Sequence, residues 1–375
     1  MKGNLTRRGK SSWRLKFDAG VDPDTGKRVT KYHTLHGNKA RVQEEAAKII
    51  ASTVTGSYVD HSRETVAEFI ARWLSDWAAA NTSNKTYQRY EQILRRHVEP
   101  HIGKLAIQKV RPADVQSVHA KSAAAGLADR TRLHVHRVLH RMLKHAAQWG
   151  VVQQNVASLI DAPTVAGAEI EILTPTELKK VLASVQGRPI HPVAITALGT
   201  GMRRSEILAL RWQDVDLDAA VLRVERSLEQ TKRGGMLFKA PKTRHGRRSI
   251  SLPSSLVGVL RSHWTSQQEQ RLMLGMGKAP PEALVFCEVD GSPRSPNALT
   301  KEWSALMSKA KLKATFHSLR HTHASTLIAS GLDVLTISRR LGHGSPAITL
   351  GVYGHLFKTD DRAAAVMDAA LIGTD

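Results

Sequence analysis

The chain has 375 residues, of which 41% are hydrophobic and 23% charged, enough for more than one hydrophobic core and incompatible with wholesale disorder. Fifty-five Lys and Arg stand against 33 Asp and Glu, a net charge of +22 that points to a polyanionic partner, nucleic acid before an anionic membrane surface. The single cysteine, Cys287, excludes an internal disulfide framework and any thiolate metal cluster, and no stretch has the apolar length of a membrane helix.

The basic start of the chain lacks the apolar segment of a secretory signal, so a cytoplasmic, nucleoid-associated protein is expected. The charge excess is distributed, net +6 over residues 1–62, +7 over 63–165 and +9 over 166–375, so every part can meet the polyanion. Near the N-terminus, Trp13, Leu15 and Phe17 alternate with Arg14 and Lys16, the period of a half-buried strand. Asp22-Pro23-Asp24-Thr25-Gly26 reads as a turn, Lys27–Leu35 as a second strand, and Lys39–Thr53 as a helix closed near Gly56.

Residues 63–160 read as all helical. Val66, Phe69, Ile70, Trp73, Leu74 and Trp77 recur at helical spacing over Thr65–Ala79, and a second helix is expected over Thr86–Val98. A long helix ends near Gly150, with Val135, Val138, Leu139, Met142, Leu143 and Ala146 on one face and Arg130, Arg137, Arg141, Lys144 and His145 on the other. Such a basic face can lie against DNA or simply be solvated. Asp161–Ile172 has no apolar period and reads as a linker. Thr174-Pro175-Thr176-Glu177 then opens a helix by a capping box with proline in the first turn. Strands are expected over Val221–Leu228, Met236–Ala240 and Arg248–Leu252, with helices returning from about Pro296.

Four clusters carry the chemistry. Arg203 and Glu206 lie on one face at the start of a helix after Thr200-Gly201-Met202. Lys242, Arg244 and neighbouring cations stud a turn between two strands. His317, Arg320 and His321 share a helical face; with no acid or cysteine nearby, the two histidines do not suggest zinc. Gly342-His343 precedes Ser345-Pro346, the cap and first-turn proline of a short helix that ends at Tyr353. The last residues, Lys358–Leu371, read as a short amphipathic helix that packs in cis or docks on a neighbouring protomer. Each cluster alone is also compatible with an ordinary solvated or packing role. No P-loop and no paired carboxylates for magnesium are present.

Taken in order, Arg-x-x-Glu, Lys, His-x-x-Arg, Gly-His and Tyr resemble the tyrosine recombinase (phage integrase) family. The family pattern Thr-Gly-Leu-Arg-x-x-Glu-Leu-x-x-Leu-x-Trp-x-Asp is matched closely by residues 200–214. The resemblance implies a multidomain, mainly α fold with small β-sheets. Its parts are an arm-type DNA-binding β-sheet-plus-helix module over 1–60, a helical core-site-binding domain over 63–160, a linker over 161–172 and a mixed α+β catalytic domain over 173–375.

By the same resemblance, Arg203 and Arg320 grip the non-bridging oxygens of the scissile phosphate. His317 and His343 add hydrogen bonds, His317 also assisting proton transfer from the nucleophile. Lys242 is the general acid for the departing 5′-hydroxyl, Tyr353 is the nucleophile, and Glu206 supports Arg203. Arg204 raises a question of register, which the spacing to Glu206 resolves for Arg203, and Gly351-Val352 departs from the bulkier or polar residues common in the family. Two guanidiniums and two imidazoles can replace metal ions on the charged equatorial oxygens. Nearby cations are expected to lower the Tyr353 pKa.

Attack gives a 3′-phosphotyrosine and conserves the phosphodiester energy, so no cofactor and no metal are needed. The partners implied are double-stranded DNA attachment sites and a homotetramer on them, with Arg14, Lys16, Arg137, Arg141, Lys144 and Arg244 as candidate DNA contacts. An excisionase or a DNA-bending protein, accessory partners of this kind, leaves no mark in the sequence. A type IB topoisomerase-like relaxing enzyme shares the chemistry, and a non-catalytic DNA-binding regulator could keep the fold. The two extra basic domains disfavour the first and the intact catalytic set disfavours the second.

Overall fold

The computed structural model describes residues 3–21, 25–54, 58–166, 170–232, 234–241, 244–357 and 363–372. The chain forms two compact units, residues 1–166 and 167–375. The expected turn at Asp22–Asp24 and the helix stop at Gly56 lie outside the described residues.

The first unit opens with an antiparallel sheet of β1 (Asn4–Arg7), β2 (Ser12–Val21) and β3 (Arg28–His36), in that order. Leu5 stands opposite Leu15 and Leu15 opposite His33. The alternation in β2 buries Leu15 and Phe17 against Val42 and Ala46 of α1 (Lys39–Val54) and leaves Arg14 and Lys16 exposed on the other face. The edge strand β1 is an addition to the expected elements. With one apolar residue in four it has no period of its own and is defined by pairing to β2.

A separate helical core follows. α2 (Val66–Trp73) is capped by a reciprocal Thr65–Glu68 box and passes through one wide π turn, Leu74–Ala78, into α3 (Ala79–Asn81). α4 (Asn84–Ile93) does the same through Leu94–Val98 into α5 (Glu99–Ile102). α6 (Pro112–Ala124) was not evident in the sequence, because besides Val115 and Val118 it buries His119 and Ser122. α7 (Asp129–Gln148) buries the apolar stripe expected of it, and Arg130, Arg137, Arg141 and Lys144 are exposed. His145 departs from the basic face. Its Nδ1 accepts a hydrogen bond of 2.7 Å from Trp73 Nε1, and its ring meets Trp77 edge-on at 4.2 Å. A buried indole N–H needs an acceptor, and a neutral imidazole provides one.

The described parts of the linker carry no regular structure, and the first helix of the second unit is α8 (Pro175–Val185), which has the expected Thr174–Glu177 capping box. α9 (His191–Thr200) and the single turn α10 (Arg204–Ile207) follow. The expected strand Val221–Leu228 is two strands in two sheets. β4 (Val215–Asp216), β5 (Val221–Val224) and β8 (Arg248–Ser251) form one sheet, while β6 (Ser227–Thr231) and β7 (Gly235–Lys239) form a hairpin. The break falls at Glu225-Arg226, where Arg226 Nε donates to the Ala209 carbonyl at 2.8 Å.

Helices return earlier than expected. α11 (Ser254–Met273) precedes α12 (Pro296–Lys309), and its weak apolar signal follows from burying only Leu256, Leu260 and Gln267. α13 (Ser318–Ala329), α14 (Val334–Leu341) and α15 (Pro346–Tyr353) come next, and α16 (Ala363–Ile372) is the described part of the final segment. Trp303, Leu299, Val193, Ile207, Leu222 and Ile250 centre the main core. Tyr353 belongs to a smaller one with Ala324, Ile328, Ile337 and Leu341.

Candidate active site

Two glycines set the backbone of the site. Gly201, after α9, has φ +66°, and a Cβ there would stand 2.6 Å from the His323 ring and 2.9 Å from Leu341 Cδ2. Gly342, after α14, has φ +67°, and its Cβ would meet Arg248 Nη1 at 2.7 Å. Both carbonyls accept from the predicted arginines: Arg320 Nη1 donates to Gly201 O at 2.6 Å, and Arg203 Nη2 to Gly342 O at 3.2 Å. Arg320 Nη2 also donates to Leu341 O at 2.8 Å. The two guanidiniums thus hold adjacent carbonyls at the end of α14.

Glu206 is 4% exposed and serves two arginines. Oε1 accepts from Arg203 Nη1 at 2.8 Å. Oε2 accepts from the Arg203 backbone N–H at 3.0 Å and from Arg248 Nη2 at 2.9 Å. Burial favours the neutral acid, but Arg248 and Arg203 outweigh it and hold the carboxyl below its ordinary range. Arg248, on β8, also donates from Nε to the Arg340 carbonyl at 2.7 Å. It was not singled out in the sequence, where it is one cation among several after Lys242. Its register on β8 opposite Val224 places it in the core rather than with its exposed neighbour Arg247.

Arg320 is 3% exposed and has carbonyl partners in place of a carboxylate. Burial, with Arg203 adding repulsion, pushes its pKa down to about 9, which leaves it charged at neutral pH. Arg203, Arg248 and Arg320 therefore face one carboxylate, Glu206. That surplus suits an anion such as a phosphodiester.

The imidazoles are shifted toward the neutral form. His343 shares a hydrogen bond of 2.8 Å with Thr349 Oγ1, and burial followed by Arg320 and Arg203 lowers its pKa to about 4. His317 precedes the first residue of α13, and desolvation of its inner side together with Arg320, Arg203 and Arg204 also lowers it. His323 Nδ1 donates to Leu198 O at 2.7 Å while its Nε2 accepts from Arg340 Nε at 3.1 Å, a tautomer that ties α13 to α9 and α14.

Tyr353, 1% exposed at the end of α15, shares a hydrogen bond of 2.8 Å between its Oη and Nδ1 of His321. The expected lowering of its pKa is reversed. Burial disfavours the phenolate more strongly than Arg320 favours it, so the pKa lies above its ordinary value. The residue at the phenol is His321 rather than His317, whose ring meets that of His321 edge-on at 4.7 Å. Its spacing from His317 put it on the right face, but only the fold brings α15 against α13.

Arg204 turns away, as its register suggested, to donate to Thr300 Oγ1 on α12. Lys242 lies outside the described residues, and so does the side chain of Arg244. Among the described residues no group of three or more His, Cys, Asp or Glu is arranged to hold a metal ion.

Residues 171–360 match the model described as the phage integrase family, and residues 65–121 match the phage integrase N-terminal SAM-like domain. The chain belongs to the phage integrase family. It is a tyrosine recombinase, a site-specific DNA strand transferase. A tyrosine recombinase XerC-like protein of Caldanaerobacter subterraneus subsp. tengcongensis is 26% identical over 375 residues, covering 95% of each chain. The fold is similar to that of the Tn1549 transposon integrase in complex with transposon right end DNA, with TM-score 0.66, 20% identity, and coverage of 82% of this chain and 100% of that one. It is also similar to a lambda integrase tetramer bound to a Holliday junction, with TM-score 0.57, 18% identity, and coverage of 92% and 97%.

In the first unit of this recombinase Arg14 stacks over the Tyr32 ring at 5.7 Å, and Arg141 Nη1 donates to Tyr90 Oη at 2.7 Å. Arg14, Lys16, Arg137, Arg141 and Lys144 are exposed. Among the described residues no helix is long and apolar enough to cross a membrane.

Proposed function

We propose that the chain cleaves and rejoins double-stranded DNA at paired attachment sites of a mobile element, in the cytoplasm of a bacterial host, through a 3′-phosphotyrosine on Tyr353. Arg203 and Arg320 bind the non-bridging oxygens of the scissile phosphate, and His317 and His343 donate further hydrogen bonds to it. Glu206 positions Arg203. Lys242 protonates the departing 5′-oxygen. The observation that carries the reading is the convergence of Arg203 and Arg320 on the adjacent carbonyls of Gly342 and Leu341, within one cationic site that also influences His343 and Tyr353.

Charge developing on the equatorial oxygens meets guanidiniums already held in place by Glu206 and by the carbonyls of Gly201, Leu341 and Gly342. Four such sites act in turn in a homotetramer. Arg14, Lys16, Arg137, Arg141, Lys144 and Arg244 neutralise phosphates around the exchanged strands, and the divisions at 60–63 and 161–172 separate arm-site, core-site and catalytic parts. An excisionase or a DNA-bending protein would bias the direction of exchange.

The test is adduct formation on a nicked suicide duplex that carries the element's own junction. Wild-type protein should shift to a covalent species on a denaturing gel, and Tyr353→Phe should bind the duplex without forming it. A normal adduct from Tyr353→Phe would remove Tyr353 from the role.

A further inference from the structure

The buried Tyr353 hydroxyl must shed its proton before or as it attacks phosphorus, and the surroundings of that hydroxyl are specific. Among the described residues its hydrogen-bond partner is His321 Nδ1, at 2.8 Å, with the two ring centroids 5.7 Å apart and steeply inclined at 62°. The charged and titratable groups facing His321 are His317, just before its own helix α13, Arg320 on that helix and Tyr353 on α15. Among the described residues no carboxylate faces it, so of these the imidazole is the base within reach of the phenol.

We propose that His321 is a further catalytic residue of strand cleavage, the acceptor of the Tyr353 phenolic proton. The inference rests on the reading of Tyr353 as nucleophile. As Oη bonds to phosphorus, its proton passes to Nδ1 of a neutral His321 that carries its own proton on Nε2. The P–O5′ bond breaks with its electron pair on O5′, which is protonated by the general acid of the site. In rejoining, the 5′-hydroxyl attacks and returns its proton to the deprotonated general acid, the P–Oη bond breaks, and the imidazolium returns its proton to the phenolate.

Burial, with His317 and Arg320, keeps His321 neutral in the free chain, its pKa lowered to about 4, so Nδ1 is open to accept. A bound phosphate beside Arg320 and His317 brings the negative charge that favours the imidazolium, which couples proton acceptance to the presence of substrate. The nearer placement of His321 thereby assigns to it the proton step that the family resemblance suggested for His317.

The experiment measures single-turnover adduct formation by the full chain on a nicked duplex whose bridging 5′-oxygen is replaced by sulfur, so that leaving-group protonation is not limiting. His321→Asn keeps a side-chain oxygen to hold the phenol but cannot take its proton. It should bind the duplex as the wild type does and form adduct at neutral pH on the order of 100-fold more slowly, as for the loss of a general base. The deficit should shrink toward alkaline pH as solvent takes over the proton. His321→Gln serves in the same way should the Asn variant fold poorly.

A rate within about threefold of wild type at every pH would overturn the proposal, and so would a deficit that stays constant with pH, the mark of a purely positioning contact. Tyr353→Phe is run alongside. If it still forms adduct the nucleophile is misassigned, whereas if it forms none and His321→Asn behaves as wild type, only the role of His321 fails.

Discussion

Arg248 Nη2 lies 2.9 Å from Glu206 Oε2, and both side chains are almost wholly withdrawn from solvent, 6% and 4% exposed. The pair joins β8 to α10 and completes the support of Arg203 from behind. Arg248→Met leaves a buried carboxylate with one guanidinium instead of two. It should destabilise the chain by about 3 kcal/mol, read as a lowered midpoint of urea unfolding. It should also slow adduct formation, because Arg203 then has a looser partner.

Arg320 places two parallel donors on the carbonyls of Gly201 and Leu341. Lysine keeps the charge but not the planar fork. Arg320→Lys should therefore bind the duplex yet form adduct on the order of 10²- to 10³-fold more slowly, the usual effect of removing one fixed donor from a developing oxyanion. Retention of wild-type cleavage by this variant would show that the fork is dispensable.

Gly201 admits no side chain, since its φ is +66° and the His323 ring stands where a Cβ would go. Gly201→Ala should lower stability by about 1–3 kcal/mol and displace the carbonyl that Arg320 uses. Thermal unfolding reads the first effect and adduct formation the second.

His136 and His323 are buried, each with a pKa lowered to about 4 mainly by desolvation. The unfolded chain takes up these protons near the ordinary histidine value of 6.5, while the folded chain resists until about 4. Between those limits the unfolded state binds more protons, so the stabilisation is complete above the upper value and is lost as pH falls through the window. Urea midpoints should drop on acidification, and His136→Gln should flatten that drop.

Exposed Arg137, Arg141 and Lys144 lie along one face of α7. If they neutralise phosphates, each substitution by Ala should reduce the slope of log affinity against log salt concentration by about 1. Binding isotherms at several salt concentrations measure this, and an unchanged slope would identify a solvated face.

Local order was legible wherever it rests on neighbours in the chain. The alternation Trp13–Phe17, the Thr174–Glu177 box, the apolar stripe of α7 and the Arg203–Glu206 spacing each involve groups within a few residues, and the structure has all of them. The family pattern across residues 200–353 likewise survives in linear order. Other features depend on partners far apart in the chain.

His321 meets Tyr353 across 32 residues, Arg248 meets Glu206 across 42, and His145 meets Trp73 across 72. A histidine or arginine has the same composition and period whether it faces water or a buried partner, so these pairings wait on the packing of α13 with α15, β8 with α10, and α7 with α2. The same holds for the Tyr353 phenol. Its proximity to cations could be anticipated from the motif, but the burial that raises its pKa is a property of the assembled core, where desolvation of the phenolate outweighs attraction to Arg320.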